Sequence, residues 1–266
     1  MDHVHAQMHG HYGPTGELLL RNNRDAIPDD FTRPPLPDDP GVTIGGQNPL
    51  HQAWMQGGDA STVVSRARQA NIGLTVVSPL RGLMPRGRWG KGGADAFAGN
   101  QECFDTVQGS DELLQWCIVN PVDPRTFEQA DAMLRSDKCV GLKFHPEEHC
   151  YTLAEHGEDL FKFAATRSAT VLVHSGDRHS APMDYLPYAD AYAEIKLVLA
   201  HLGNSGDMEP GKGGGDPTHQ LQAIKASRNR NVYVDTSSAA SITPGLIECA
   251  LPCLHDCAML KAVARS

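Results

Sequence analysis

The sequence predicts an α/β fold, a TIM-type (β/α)8 barrel whose eighth strand unit is not recognisable. Three observations predict it. Short apolar, β-branched runs alternate with helical stretches along nearly the whole chain, the pattern of parallel strands buried on both faces. The alternation is strict, which favours a barrel over an open doubly wound sheet, and no Gly-x-Gly-x-x-Gly follows any strand. The 266 residues are about the length of one such barrel.

The elements read in order as follows. A short first strand begins almost at Met1 and carries His3 and His5. Residues 10–50 form a long loop with Pro14, Pro28, Pro34, Pro35, Pro37 and Pro40, and loops of that length are often functional covers. A helix from about Asp59 to Ala70 leads into the strand Ile72–Ser78. Arg81–Gly93 is a basic, Gly-rich loop before a helix over Ala94–Val107. Leu113–Val119 is a strand closed by Asn120-Pro121, and Thr126–Leu134 a helix. The strand Cys139–Phe144 precedes a helix over Gly157–Arg167, and the strand Thr170–Val173 precedes a helix over Asp184–Ala193. Lys196–Ala200 and Asn231–Val234 are strands either side of a helix over Thr218–Ser227, and Pro244–Ala250 begins another helix. No repeat or linker interrupts the series, so residues 1–266 are expected to form a single domain.

Composition narrows the function. The net charge is −9 and the basic residues are scattered, which argues against nucleic acid or an anionic membrane surface as partner. No run of 18 apolar residues exists, and the polar, histidine-rich start MDHVHAQMHG is not a signal peptide. The seven cysteines have no framework spacing; Cys103, Cys117, Cys139 and Cys150 are expected to be reduced thiols in a cytoplasmic protein. The partner implied is a small-molecule substrate.

The chemistry lies at the strand ends. Active sites of such barrels sit at the C-terminal ends of the strands. Here the fourth strand ends Lys143-Phe144-His145-Pro146, the fifth at His174, the sixth at His201 and the seventh at Asp235. On the first strand His3 and His5 are two apart and face the same side, so both imidazoles can share one metal. A third ligand must come from another strand, and His174 is the natural choice; three protein ligands plus water make an open, catalytic site. A lone H-x-H is weak, and His174 or His201 alone could be a hydrogen-bonded core histidine or a turn cap. Their conjunction at successive strand ends is harder to explain without a shared purpose.

His201 and Asp235 are therefore candidate catalytic groups, Asp235 either supporting a histidine or standing in as an acid. Lys143, His145, Asp177 and Arg178 are candidates for contacting substrate. Arg81, Arg86 and Arg88 could grip a carboxylate but read better as a solvated loop. His9 and His11 are expected to be exposed loop histidines, and His149, His156, His179, His219 and His255 to lie on the surface. The cofactor implied is one divalent metal, zinc in first place with manganese or iron as alternatives.

The series H-x-H, GLKFHP, VLVHSG, LAHLGN and NVYVDTSS resembles the amidohydrolase superfamily, and within it the amidohydrolase-related branch that contains aminocarboxymuconate-semialdehyde decarboxylase-like enzymes. The resemblance covers nearly the whole chain and is strongest from Cys139 to Leu246. It implies that His3, His5 and His174 are metal ligands and that His201 touches the metal or orients water and substrate. Some superfamily members carry a carboxylated lysine on the fourth strand, where Lys143 lies, that bridges a second metal; the branch implies a single metal.

The family also ends an eighth strand with an aspartate, in phrases such as FGSD, that binds the metal and accepts a proton from its water. No such phrase occurs here; after Glu248 the sequence reads CALPCLHDCAMLKAVARS. The expectation is a chain that stops short of the eighth unit, against a diverged end that still supplies Asp256. Cys249, Cys253 and Cys257 recur at helical spacing, more plausibly a chance feature than a soft-metal site. A barrel short of a strand leaves open edges, which a second copy of the chain could cover as a homo-oligomer.

The activity expected first is hydrolysis of an amide, ester or lactone by a metal-activated water. The alternatives are non-oxidative decarboxylation of a small carboxylic acid at the same site, and a catalytically impaired metal-binding protein.

Overall fold

Seven strands follow one another in one sheet in chain order: β1 (His5–Tyr12), β2 (Ile72–Pro79), β3 (Leu113–Ile118), β4 (Cys139–Phe144), β5 (Thr170–Val173), β6 (Lys196–Leu199) and β7 (Val232–Val234). The structure is a computed structural model that describes residues 5–12, 60–79, 82–83, 95–177, 179–204, 215–237 and 245–255. The pairs β1–β2, β2–β3, β4–β5, β5–β6 and β6–β7 run parallel. A helix separates each strand from the next, so the fold is the α/β, TIM-type arrangement that the alternation predicts. Among the described residues no strand follows β7, so the eighth unit is as unrecognisable in the fold as in the sequence.

Contacts divide the chain into two compact units that interleave in sequence. One comprises Met1–Ile118, Glu128–Val140 and Glu148–Cys150; the other comprises Val119–Phe127, Gly141–Glu147 and Tyr151–Ser266.

In the first unit β1 is longer than its sequence suggests. It runs to Tyr12, with His11 opposite Ser78 and Tyr12 opposite Pro79, so His9 and His11 lie in the strand and not in a loop. The reason is pairing: backbone hydrogen bonding to β2 carries the strand through Gly10 despite that residue's low strand preference, with register irregularities on the way. Beside it, α1 (Ala60–Gln69) lays Ala60, Val63 and Val64 on a core of Val77, Cys103, Val107 and Leu113. The next helix, α2 (Ala96–Gln108), is capped by Asp95, whose carboxylate accepts from Ala98 N at 2.9 Å.

Asn100 of α2 is fully buried and joins three elements. Its Nδ2 donates to Ile118 O at 2.8 Å and to Gln129 Oε1 at 2.9 Å, and its Oδ1 accepts from Ile118 N at 2.8 Å. Gln129 belongs to α3 (Arg125–Met133) and donates onward to Phe97 O at 2.8 Å. The amide thus stands in for a neighbouring strand at the end of β3.

His149 corrects the expectation of a surface histidine. A one-turn helix, α4 (Pro146–His149), follows β4 directly, and Pro146 is suited to its first position. His149 is buried, with Nε2 2.7 Å from Gly82 O.

The second unit contains the remainder of β4, β5 to β7, α5 (Leu153–Ala165), a 3-10 turn (Pro182–Tyr185), α6 (Leu186–Ala191), α7 (Thr218–Ala226) and α8 (Leu246–His255). α5 starts four residues before the predicted Gly157, because both the backbone N–H and the hydroxyl of Thr152 donate to Glu155 Oε2, at 3.2 and 2.7 Å. Phe161 packs edge-on to Phe144, centroids 5.6 Å apart, and stacks on Tyr188 at 4.9 Å. Gly157 makes that packing possible: a Cβ there would lie 2.3 Å from Tyr188 Oη. Leu202, Leu221, Leu246 and Ala250 form a second cluster that fastens α7 and α8 beneath the end of β6.

In the tail, Cys249 is exposed, while Asp256, Cys257 and the side chain of Cys253 lie outside the described residues. Among the described residues, no helix is long and apolar enough to cross a membrane.

Candidate active site

The strands of the second unit deliver their last residues to a common place. β4 ends in Lys143 and Phe144 and hands on to His145; β5 hands on to His174, β6 to His201 and β7 to Asp235. His145 and His174 are stacked, centroids 4.0 Å apart and planes 10° from parallel. His174 meets His201 edge-on at 5.1 Å. Lys143 and His145 are buried, and His174 is 9 % exposed.

Each histidine is held by its backbone as well as its ring. Tyr185 Oη, fully buried, donates to His174 O at 2.7 Å; burial pushes that phenol well above its usual range, so it stays a donor. The turn after β5 is closed by Gly176 N to Ser180 O at 2.9 Å and Ser180 N to Asp177 O at 3.1 Å. Gly176 sits at φ +101, where a Cβ would lie 2.1 Å from Asn204 O, so only glycine fits. The turn brings the Asp177 carboxylate into a hydrogen bond with His174 Nε2.

His201 adopts the left-handed conformation, φ +67, which costs a non-glycine residue roughly 1–2 kcal/mol. Its surroundings offset this. Its N–H donates to Asp235 Oδ1 at 2.9 Å, and its carbonyl accepts from Asn204 N at 2.8 Å and Gln220 Nε2 at 3.3 Å. Its ring Nδ1 is 2.8 Å from Ser237 Oγ. Asp235 Oδ1 in turn accepts from Ser237 N at 2.9 Å and from Ser237 Oγ at 2.5 Å.

Of the residues picked from the sequence, Lys143, His145, His174, Asp177, His201 and Asp235 all fall in this unit. His3 and Arg178 lie outside the described residues; His5 is described only as the first residue of β1, opposite Ile72. Asp177, expected to face substrate, binds His174. Ser237 and Tyr185 were not singled out. Ser237 could have been found: an aspartate accepting from the backbone two residues on is an Asx-turn, and Asp235-Thr236-Ser237 has that form. Nothing local marks Tyr185, which reaches His174 only through the fold.

A divalent metal needs imidazole nitrogens without a proton. His174 Nδ1 is buried and has no hydrogen-bond partner among the described residues, so it fits. Among the described residues no group of three or more His, Cys, Asp or Glu side chains could hold a metal ion. The expected set draws its other two ligands from His3 and His5, whose side chains are outside that description.

The fold and this ring of strand-end histidines define an amidohydrolase-type protein. The amidohydrolase family profile Amidohydro_2 matches residues 48–262. The chain belongs to the amidohydrolase family. A search of curated protein sequences finds no significant match.

Among solved structures, the chain is similar to 5-carboxyvanillate decarboxylase from Novosphingobium aromaticivorans in complex with manganese and 4-hydroxy-3-methoxy-5-nitrobenzoic acid. The TM-score is 0.64 at 13% identity, over 96% of this chain and 84% of that one. It is also similar to 5-carboxyvanillate decarboxylase LigW from Sphingomonas paucimobilis, TM-score 0.60 at 11% identity over 94% and 85%. A third is apo IDCase from Metarhizium anisopliae, TM-score 0.50 at 13% identity over 96% and 92%. At these identities the likeness is one of fold.

Proposed function

We propose that this chain is a metal-dependent, non-oxidative decarboxylase of a small conjugated carboxylic acid. The observation that carries the reading is the engagement of the two carboxylates that meet the strand-end histidines, Asp177 and Asp235. Asp177 is bound to His174, and Asp235 accepts from His201 and twice from Ser237. Hydrolysis needs a base to take a proton from water, and neither carboxylate is placed as an open one. Decarboxylation needs instead a group that gives a proton to carbon, and imidazole suits that task near neutral pH. Family membership and the fold shared with manganese-bound 5-carboxyvanillate decarboxylase support the same reading.

In this reading His3, His5 and His174 would hold the metal, His174 through the Nδ1 that has no hydrogen-bond partner among the described residues. Among zinc, manganese and iron, the manganese held by the neighbouring 5-carboxyvanillate decarboxylase favours manganese. A divalent metal bound there would supply Lewis-acid polarisation of the substrate's oxygens. Lys143 and His145, buried at the end of β4, orient the substrate. The bond from that carbon to the carboxylate breaks, its electron pair stays on the carbon, and a proton from His201 Nε2 forms the new C–H bond.

The test uses the full chain reconstituted with Mn2+ or Zn2+. Carbon dioxide release is followed from a panel of hydroxylated benzoates that includes 5-carboxyvanillate, beside ester and lactone substrates. Release from one of the acids is expected. Turnover confined to the esters or lactones would overturn the reading in favour of hydrolysis.

A further inference from the structure

We infer that Asn120 is a substrate-binding residue, whose side-chain amide donates to an oxygen of the bound acid on the face of the sheet that carries His145 and His174. The inference rests on the proposed substrate class, a small carboxylic acid, and names a residue that takes hold of it.

Strand register puts Asn120 at the site. Val119 N donates to Lys143 O at 3.1 Å, which in a parallel pair sets Val119 beside Phe144. His174 N donates to Phe144 O at 3.0 Å, which sets His174 beside His145. Phe144 faces the helices, where it meets Phe161 of α5. Side chains alternate along a strand, so Asn120, one residue after Val119, falls on the opposite face, with His145 and His174. All these residues belong to the second compact unit.

The amide is fixed end for end. Val122 N donates to Asn120 Oδ1 at 3.1 Å, and only the oxygen of an amide accepts. The other atom is therefore Nδ2, which carries two hydrogens and only donates. The backbone is held as well: Asn120 N donates to Thr126 Oγ1 at 3.0 Å, and Asn120 O accepts from Asp123 N at 2.9 Å.

Four asparagines are buried among the described residues, and three of them give their amide hydrogens to protein oxygens. Asn100 donates to Ile118 O and Gln129 Oε1, Asn204 to Ser175 O, and Asn231 to Ala189 O, Tyr192 O and Ile195 O. Asn120 is 1 % exposed, and its Nδ2 has no partner among the described residues. A buried donor left unmatched is costly. The turn after β3 uses only the oxygen, and an aspartate would supply that oxygen without a stranded donor. The NH2 group therefore serves something outside the turn, and the partner it suits is an acceptor oxygen.

The test is titration calorimetry of the full chain loaded with Mn2+, with metal content measured on each protein. The probes are 4-hydroxy-3-methoxy-5-nitrobenzoic acid and the hydroxylated benzoates. Asn120→Ser removes the NH2 group and keeps an oxygen for the turn; affinity is expected to fall about 10–100-fold. Asn120→Asp keeps Oδ1 and replaces the donor by an acceptor that repels an anion; the expected loss is larger, about 100-fold or more. In the wild-type chain labelled with 15N-asparagine and loaded with Zn2+, the Asn120 side-chain amide resonances are expected to shift when the acid is added. That measurement needs no variant to fold. Affinities within about twofold of wild type in the variants, or amide resonances that ignore a bound acid, would overturn the inference and assign the amide to a buried water. Carbon dioxide release by the wild type, with variants that bind and release normally, removes the inference and leaves the functional reading. Weakened binding in the variants, with no release from any acid by the wild type, leaves the inference and removes decarboxylation. A wild-type chain that binds none of the acids removes both.

Discussion

Asn100 and His174 are both buried polar side chains next to a strand end, and they treat their hydrogen bonds differently. Every polar atom of Asn100 is matched: both amide hydrogens are donated and the oxygen accepts, all at 2.8–2.9 Å. His174 has one nitrogen bound to Asp177 and the other buried without a partner among the described residues. The backbone differs too. His201, beside His174, is in the left-handed region, as is Gly176 in the turn after β5. A polar group that serves the fold closes its bonds, because an orphaned one costs roughly 1–3 kcal/mol. A group that serves a ligand keeps an atom open, and its surroundings hold the strain.

The sharpest way to break this contrast is to remove His174. We predict that His174→Ala lowers metal affinity and carbon dioxide release about 1,000-fold, about 4 kcal/mol, with an unchanged circular dichroism spectrum. Full metal content in that variant would make the open nitrogen irrelevant. Asn100→Ala is the mirror experiment. It orphans the N–H and C=O of Ile118 and an oxygen of Gln129, so urea unfolding should show a loss of about 3 kcal/mol, with metal bound per folded molecule unchanged.

Tyr185→Phe tests whether the fold's hydrogen bonds also serve the site. It removes the donor to His174 O, and should lower stability by about 1 kcal/mol, with a smaller effect on metal affinity. The smallest effect is expected at Glu155, in the first turn of α5. Its carboxyl is held below the ordinary range by hydrogen bonds from Thr152. A depressed folded value contributes stability above the unfolded carboxylate pKa of about 4.3, and loses it as the pH falls through the lower folded value. Melting curves of wild type and Glu155→Gln should therefore differ slightly near neutrality and converge in acid.

Much of the fold was legible because strands buried on both faces must be apolar. β4 and β5 lie where the runs CVGLKF and TVLV place them. Boundaries failed where a local contact outweighs periodicity: the Thr152–Glu155 box starts α5 early, and pairing with β2 lengthens β1 past His11. The candidate site was legible as residue types at strand ends. Which atom of each residue is engaged was not. Asp177 read as a group for substrate, and the structure places it on His174; Asp235 read as a support for a histidine or as an acid, and it accepts from the backbone N–H of His201.

By itself the sequence determined the order of the elements, the alternation that makes a parallel α/β sheet, and the grouping of Lys143, His145, His174, His201 and Asp235 at the ends of strands. Those properties follow from periods of two and of 3.6 residues, which are local. Only the tertiary structure decided that Tyr185 supports His174, that Ser237 joins Asp235 to His201, that His149 is buried, and that one nitrogen of His174 is left open. Hydrogen bonds between residues 11 to 67 positions apart depend on distance and direction in space, which no spacing along the chain encodes.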